Sequence, residues 1–418
     1  MKLKRLEIHN YKSLRHVVLE PAPLSVFVGP NAAGKSNLAD ALDFLGEVYH
    51  WDLEGAVKKK GGYENICFRQ TERSSAPIRF RLMLELPFTK KDVLGFTVSP
   101  RGALTSSLDH AFELRTKSRG IKAPFFIAYE ELFQSSSNGA IEFRLTRTIK
   151  RGIDVAKIQG SLREAIVSAS LNRPEVQEEM KNLPETHLAL LFRWFSGLRP
   201  FVDALSSLRV FQLNPRSCRE TGIPTPNAAL DRFGGNLPAA IDYLKSNEPH
   251  AFAQLLDAVR RVMPSLESLE TDLTHTKTLG LFLKEAGVKR PWTAEDISDG
   301  TIQAIALLTA TFDPRIPILV IEEPENSVHP WAIRTFVQAF REASETKQIF
   351  LTTHSPILID QIRPEELWVV QRPELETKIT PVLELDPSLK DAWGQGKFTL
   401  SEYLDSGALP AAVPAAGA

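Results

Sequence analysis

The chain has 418 residues, 43% of them hydrophobic and 24% charged, with a formal net charge of −1. This is ordinary for a soluble globular protein of one large domain or two lobes, and no global field draws it toward nucleic acid or membrane; a local basic patch is compatible with it. The two cysteines, Cys67 and Cys218, form no CxxC pair, so there is neither a zinc signature nor a disulfide framework, as in a reducing cytosol.

The opening MKLKRLEIHNYK lacks an apolar h-region and does not read as a signal peptide. The longest apolar runs, such as IPILVI at 316–321, fall far short of the roughly 20 residues that span a bilayer. A cytoplasmic protein without a membrane span is expected. Residues 2–9 alternate, with Leu3, Leu6 and Ile8 among Lys4, Arg5 and Glu7, which predicts an edge-type strand. LSVFVG at 24–29 is a short continuous apolar run, the pattern of a buried parallel strand. A helix follows, with Leu38, Ala41, Leu42 and Leu45 on one face. IRFRLMLEL, FFIAYEEL and IEFRLTRTI alternate as strands, so residues 61–150 are read as a β-rich lobe.

From 151 to 208 the pattern turns helical through SLREAIVSAS, VQEEMKNL and HLALLFRWFSGL, divided by Pro174, Pro184 and Pro200. No heptads persist, which excludes a long coiled coil. RVFQLNP at 209–215 reads as a strand, and AAIDYL and FAQLLDAVRRV as amphipathic helices. Beyond them, ILVIE, the helical WAIRTFVQAFREA, QIFLTT and ELWVVQ repeat a strand–helix rhythm, as in a parallel sheet with crossover helices. The closing GALPAAVPAAGA is low in complexity and expected to be disordered.

Three local patterns carry chemistry. GPNAAGKSN, residues 29–37, fits G-x-x-x-x-G-K-[ST] and stands after a buried strand and before a helix. Gly29 and Gly34 let the backbone wrap phosphate oxygens, with the amides of Asn31, Ala32, Ala33 and Gly34 and the helix N-terminus supplying positive charge. Lys35 reaches the β- and γ-phosphates, and Ser36 ligates Mg²⁺. ILVIEEPENSVHP ends a buried strand with two carboxylates, where open α/β sheets bind ligands. Glu322 is placed to hold Mg²⁺, directly or through water, and Glu323 to orient and deprotonate the attacking water. Two adjacent acids after four aliphatics are costly unless positive charge is near, and a metal-bound nucleotide supplies it. LTTHSP ends the next strand with His354. A lone histidine is more often structural, but one strand along from the acids it is placed to bond a γ-phosphate.

DISDGTIQ, residues 296–303, is a helix cap by Ser298 or Asp299, before a stripe of Ile302, Ile305, Ala306 and Thr309. A helix N-terminus with Ser and Gly is also an anion site.

In order, GPNAAGKSN, ISDGT, EEPEN and LTTHSP resemble the motifs of ABC-type ATPase heads, and more closely the SMC/RecF/OLD-like branch with its split head. LKRLEIHNYKSL resembles that branch's first strand, and FGGNLPAAIDYL a segment carried between its lobes. The resemblance covers residues 1–60 and about 210–371 and is weak over 62–208. It implies an α/β P-loop NTPase fold, an ABC-ATPase-type head with a mixed or parallel sheet. Residues 1–60 and 209–400 would form the head, 61–150 a β-rich lobe, 151–208 a helical insertion and 401–418 a tail. Gly29, Asn31, Gly34, Lys35, Ser36 and Asn37 match Walker A. Glu322 takes the Walker B position, where many relatives have Asp, and Glu323 that of the catalytic glutamate. Asn326, Ser327, Val328 and His329 match the D-loop, His354 the switch histidine, and Ser298, Asp299, Gly300 and Thr301 the signature. Ser298 and Gly300 would cover the γ-phosphate held by a second copy. Gln70 and Gln212 are candidates for the Q-loop glutamine, each also readable as a surface or loop residue.

The resemblance implies ATP and Mg²⁺ as ligands, an ATP-dependent homodimer or higher oligomer, and a separate effector such as a nuclease in phage or foreign-DNA defence. Only 47 residues follow Gln371, short of a TOPRIM domain, so an ATPase without its own nuclease is expected. The alternative is a RecF-like DNA-repair ATPase or DNA clamp, for which Lys58, Lys59 and Lys60 and the stretch RFRLMLEL are the hints, each also readable as a solvated face. A non-hydrolysing scaffold is disfavoured by Glu323, and a transporter subunit by the SDGT form of the signature.

Overall fold

The computed structural model describes residues 1–68, 76–88, 104–118, 123–136, 141–148, 152–157, 173–191 and 198–406. Gln70, the expected helix SLREAIVSAS, most of LLFRWFSGL and the tail from 407 lie outside the described residues. The chain divides into two compact units. One comprises residues 1–21, 40–207 and 372–379, the other 22–39, 208–371 and 380–418.

The first unit carries a seven-stranded antiparallel sheet, in the order Leu14–Leu19, Lys2–Tyr11, Ile78–Phe88, Leu104–Thr116, Phe125–Ser136, Ile141–Thr148 and Gly152–Lys157. Lys2–Tyr11 is therefore flanked on both sides, with Leu6 opposite Leu19 and Ile8 opposite Phe80, and is not an edge strand. Alternation reports that one face is buried; it does not report how many neighbours a strand has. The missing neighbour is Leu14–Leu19, six residues reached by a tight turn in which Lys12 adopts φ 48°. Gly152–Lys157 also pairs into this sheet, so helix begins later than residue 151. The first described helix after it is Pro174–Lys181, started by a proline at its N-terminus.

The second unit carries five sheet strands in the order Leu367–Gln371, Leu24–Val28, Gln348–Thr352, Ile318–Glu322 and Arg209–Phe211. The pairings from Leu367–Gln371 through Arg209–Phe211 are all parallel. Leu24–Val28, Ile318–Glu322 and Gln348–Thr352 are buried at every residue, as strands covered on both faces must be. Helix Asp299–Phe312 packs against helices Pro249–Val262 and Pro330–Ser344, with Ile302 through Phe312 all buried, Gln303, Thr309 and Thr311 among them, so it has no solvent face opposite a stripe. A separate three-stranded sheet, Leu266–Leu273, Leu279–Glu285 and Trp292–Thr293, completes this unit. Within 401–418, where a tail was expected, Leu400–Asp405 is a helix held by a Thr399–Glu402 capping box. No described helix is long and apolar enough to cross a membrane.

Candidate functional site

The parallel order puts the carboxyl ends of Leu24–Val28, Gln348–Thr352 and Ile318–Glu322 side by side. Each of the three chemical motifs begins where one of these strands stops.

Gly29 follows the first strand at φ 156°, and a β-carbon there would run into the carbonyl oxygen of Val370. Only glycine allows that approach. The loop continues through Ala32 at φ 62° and Gly34 at φ 113°, with the Ala33 amide donating to Pro30 O at 3.2 Å. Left-handed backbone costs a residue such as Ala32 about 1 kcal/mol, and such strain collects where a ligand needs the loop in that shape. Lys35 opens the helix Lys35–His50, so a glycine-bearing turn runs into a helix N-terminus, which is an anion-binding geometry. Lys35 is 6% exposed and its Nζ donates to Gly29 O at 2.8 Å and Pro30 O at 3.1 Å. Burial pushes its ammonium down to about 8, against the pull of Glu323 and Glu325. Asn31, Ala32 and Ser36 are exposed, Ala33 is buried and Asn37 is half-buried.

Glu322 is the last residue of its strand and buried, with Arg232 Nη2 at 3.2 Å from its Oε1. Glu323 turns away from the strand at φ 49°, its N–H donating to Thr352 O at 2.9 Å. Its Oε2 accepts from Asn326 Nδ2 at 2.9 Å, and its Oε1 lies 3.8 Å from His354 Nε2. Burial and then the charge of Lys35 hold the His354 imidazole below its ordinary pKa, so the ring is neutral near pH 7. Lys35, Glu323 and His354 thus form one electrostatic neighbourhood.

Ser298 is the cap of helix Asp299–Phe312: its Oγ accepts from Thr301 N–H at 3.2 Å and bonds Thr301 Oγ1 at 2.8 Å. Asp299 points elsewhere, to Arg219 Nη2 at 2.6 Å. Gly300 abuts the Ser327 carbonyl, so the SDGT and ENSVH segments meet within the chain. Gln212 directly follows the Arg209–Phe211 strand beside Ile318–Glu322; it is exposed, and its N–H donates to Arg232 O at 2.9 Å.

Two residues of the site escaped sequence reading. Arg232 immediately precedes the FGGN segment, and nothing in the sequence ties it to Glu322, 90 positions away. Glu325 lies inside EEPEN, two residues past the acidic pair. Its Oε1 accepts from Thr353 Oγ1 at 2.7 Å, His354 N–H at 2.9 Å and Ser355 N–H at 3.2 Å.

The donor set suits a Mg²⁺ carried by a nucleotide. Ser36 and Glu322 offer hard oxygens, and Glu322 is a buried carboxylate already matched by a cation. Among the described residues no three His, Cys, Asp or Glu side chains cluster to hold a metal ion. Mg²⁺ typically takes one or two carboxylates, with phosphates and water filling the rest.

Fold and site together define a P-loop ATPase head of the ABC/SMC type. Residues 24–360 match the family described as "AAA domain, putative AbiEii toxin, Type IV TA system", and the chain belongs to that family. It is 25% identical over 379 residues to the OLD nuclease of Thermus scotoductus, a match covering 88% of this chain and 62% of that protein. It is 31% identical over 116 residues to structural maintenance of chromosomes protein 1 of Schizosaccharomyces pombe, covering 26% of this chain and 9% of that one. In fold it is similar to a crystal structure of an Smc head bound to the C-terminal winged-helix domain of ScpA. The TM-score is 0.53 at 11% identity, over 91% of this chain and 97% of that one.

Proposed function

We propose that this chain binds and hydrolyses ATP with Mg²⁺, closes head to head with a second copy on ATP, and so controls a separate effector in phage or foreign-DNA defence. The observation that carries the reading is the meeting of the Gly29–Gly34 loop, the Glu322–Glu323 pair and His354 at the ends of three adjacent parallel strands. The amides from Asn31 to Lys35 wrap the β- and γ-phosphates. Lys35 exchanges its two carbonyl partners for phosphate oxygens, whose negative charge favours its ammonium form. Ser36 and Glu322 would hold Mg²⁺, which would neutralise charge on the phosphates. Glu323, fixed through Oε2 by Asn326, orients the water and takes its proton as the water oxygen joins the γ-phosphorus. The anhydride bond to the β-phosphate breaks, and ADP departs with phosphate. Neutral His354 donates a hydrogen bond to the γ-phosphate, and Ser298 and Gly300 cover that phosphate from the second copy.

The effector part leans on the likeness to the OLD nuclease, of which this chain spans less than two thirds. The DNA-clamp reading loses its carriers. Lys58 pairs with Glu54, Lys59 with Glu47, and Lys60 with Asp40 and Asp43. Arg79 pairs with Glu113 and Arg81 with Asp109. Charges matched in this way are weak attractors of a phosphate backbone.

The test is light scattering and phosphate release with and without ATP and Mg²⁺, alone and with neighbouring gene products. Glu323→Gln is expected to bind ATP, accumulate dimer and release no phosphate, and Lys35→Ala to lose binding. Phosphate release unchanged in Glu323→Gln would favour a nucleotide-dependent scaffold.

A further inference from the structure

We infer that Glu325 is a positioning residue: its carboxylate fixes the backbone of residues 353–355 and so holds the His354 imidazole beside Glu323. The inference rests on the roles proposed above for Glu323 and His354.

The turn from Glu323 to Val328 is set by two left-handed residues, Glu323 at φ 49° and Ser327 at φ 61°. It carries Glu325 across to the end of the neighbouring strand. There a single oxygen, Oε1, takes three donors: the Thr353 hydroxyl and the His354 and Ser355 amides. Thr353 is fully buried, and its Oγ1 also accepts from the same Ser355 N–H, at 3.0 Å, so that amide is shared between Thr353 and Glu325. The two amides precede the short helix Pro356–Ile359, where the ladder has ended and backbone donors lack partners. A carboxylate holds such donors more strongly than a neutral acceptor.

Among the described residues the His354 ring has no comparable anchor. Its approach to Glu323, 3.8 Å, is longer than a hydrogen bond, so the ring is placed by its own backbone. That backbone is what Glu325 holds. The second oxygen, Oε2, is buried without a hydrogen-bond partner among the described residues. Stability alone gives no reason to keep a half-satisfied carboxylate there, whereas a site that needs the loop in one position does. The charge of Glu325 also acts on Lys35 and His354, raising the pKa of both against their burial.

The experiment follows the His354 imidazole by NMR, its resonance identified as the one missing from His354→Gln, alongside steady-state ATP turnover. Glu325→Ala is expected to shift or broaden that resonance and to lower kcat by about tenfold or more, with KM for ATP little changed. Glu325→Gln keeps an acceptor oxygen for the three donors and is expected to restore the resonance and most of kcat. An unmoved resonance in folded Glu325→Ala overturns the inference, as does a Glu325→Gln as impaired as the alanine variant. Should Glu325→Ala not fold, Thr353→Val, which removes one donor, decides: the resonance is expected to shift, and an unmoved one overturns the inference. The resonance is read without turnover, so a wild-type chain that does not hydrolyse ATP sinks the proposed function while this reading is still decided by the NMR.

Discussion

Gly300 of the SDGT segment packs against Ser327: a β-carbon on Gly300 would stand 2.8 Å from the Ser327 carbonyl oxygen and 3.5 Å from Val328 Cα. Gly300 therefore has a packing role inside its own chain, whatever it does toward a second copy. The Ser327 turn is the one that fixes Glu323 through Asn326. Gly300→Ala must push this turn aside. We expect a loss of about 1–3 kcal/mol of stability, the usual scale of overpacking. Turnover should fall even where ATP binding is intact. A variant with wild-type melting temperature and turnover would remove the contact from consideration.

Ser298 separates two roles that sequence reading joined. As a cap it accepts one amide hydrogen bond, at Thr301. Ser298→Ala should cost about 1 kcal/mol through the lost cap and spare most turnover. Ser298→Arg adds bulk and charge at the helix start. It should leave ATP binding by the monomer intact and abolish ATP-driven dimerisation and turnover. Light scattering decides, and a Ser298→Arg that dimerises normally returns the segment to a cap alone.

What was legible in the sequence was local. The glycine loop, the acidic strand end and LTTHSP each combine a strand and its following turn, so short windows reveal them. Their meeting could be argued only from the rule that parallel strands present ligands at one edge. Glu325 was visible as a letter but not as a clamp, because its three donors belong to a strand end about 30 residues away. Arg232 and Arg219 reach Glu322 and Asp299 from distant segments, and neither distance leaves a periodic trace. LTSSLDHAFELRT was not read as a strand because its polar residues blur the alternation; pairing with both neighbours makes it one.

Lys347 offers a pH test that does not involve the residues of the proposed site. Its ammonium is 7% exposed and bonds the Asp313 carbonyl at 2.7 Å, and burial pushes its pKa down to about 8. In the unfolded chain a lysine titrates near 10.4. Between those values the unfolded state binds more protons, so stability contributed by this group rises with pH, is complete above the unfolded value and is lost as pH falls through about 8. Lys347→Met removes the dependence. Urea melts of both proteins from pH 7 to 10 should show the wild type gaining on the variant by on the order of 1–3 kcal/mol. Parallel curves would rule the assignment out.

Another buried carboxyl group lies in the seven-stranded unit. Glu130 is fully buried, accepts from Ala189 N–H at 2.8 Å and Leu190 N–H at 3.2 Å, and lies 3.2 Å from His110 Nε2. His110 Nδ1 in turn meets the Tyr49 hydroxyl at 2.7 Å. Burial raises the Tyr49 phenol well above its ordinary range, so it remains protonated there. The chain of contacts ties helix Lys35–His50, two strands and the Ala189–Leu191 turn into one polar network. Glu130→Ala leaves two amides and a histidine without their acceptor, and should cost about 3–5 kcal/mol, at about 1–3 kcal/mol for each buried group left unsatisfied. Tyr49→Phe removes a single hydroxyl and should cost about 1 kcal/mol. Because both act through His110, the double variant should lose less than the sum of the two. Chemical denaturation of the four proteins measures it; strict additivity would mean that the three side chains do not act as a network.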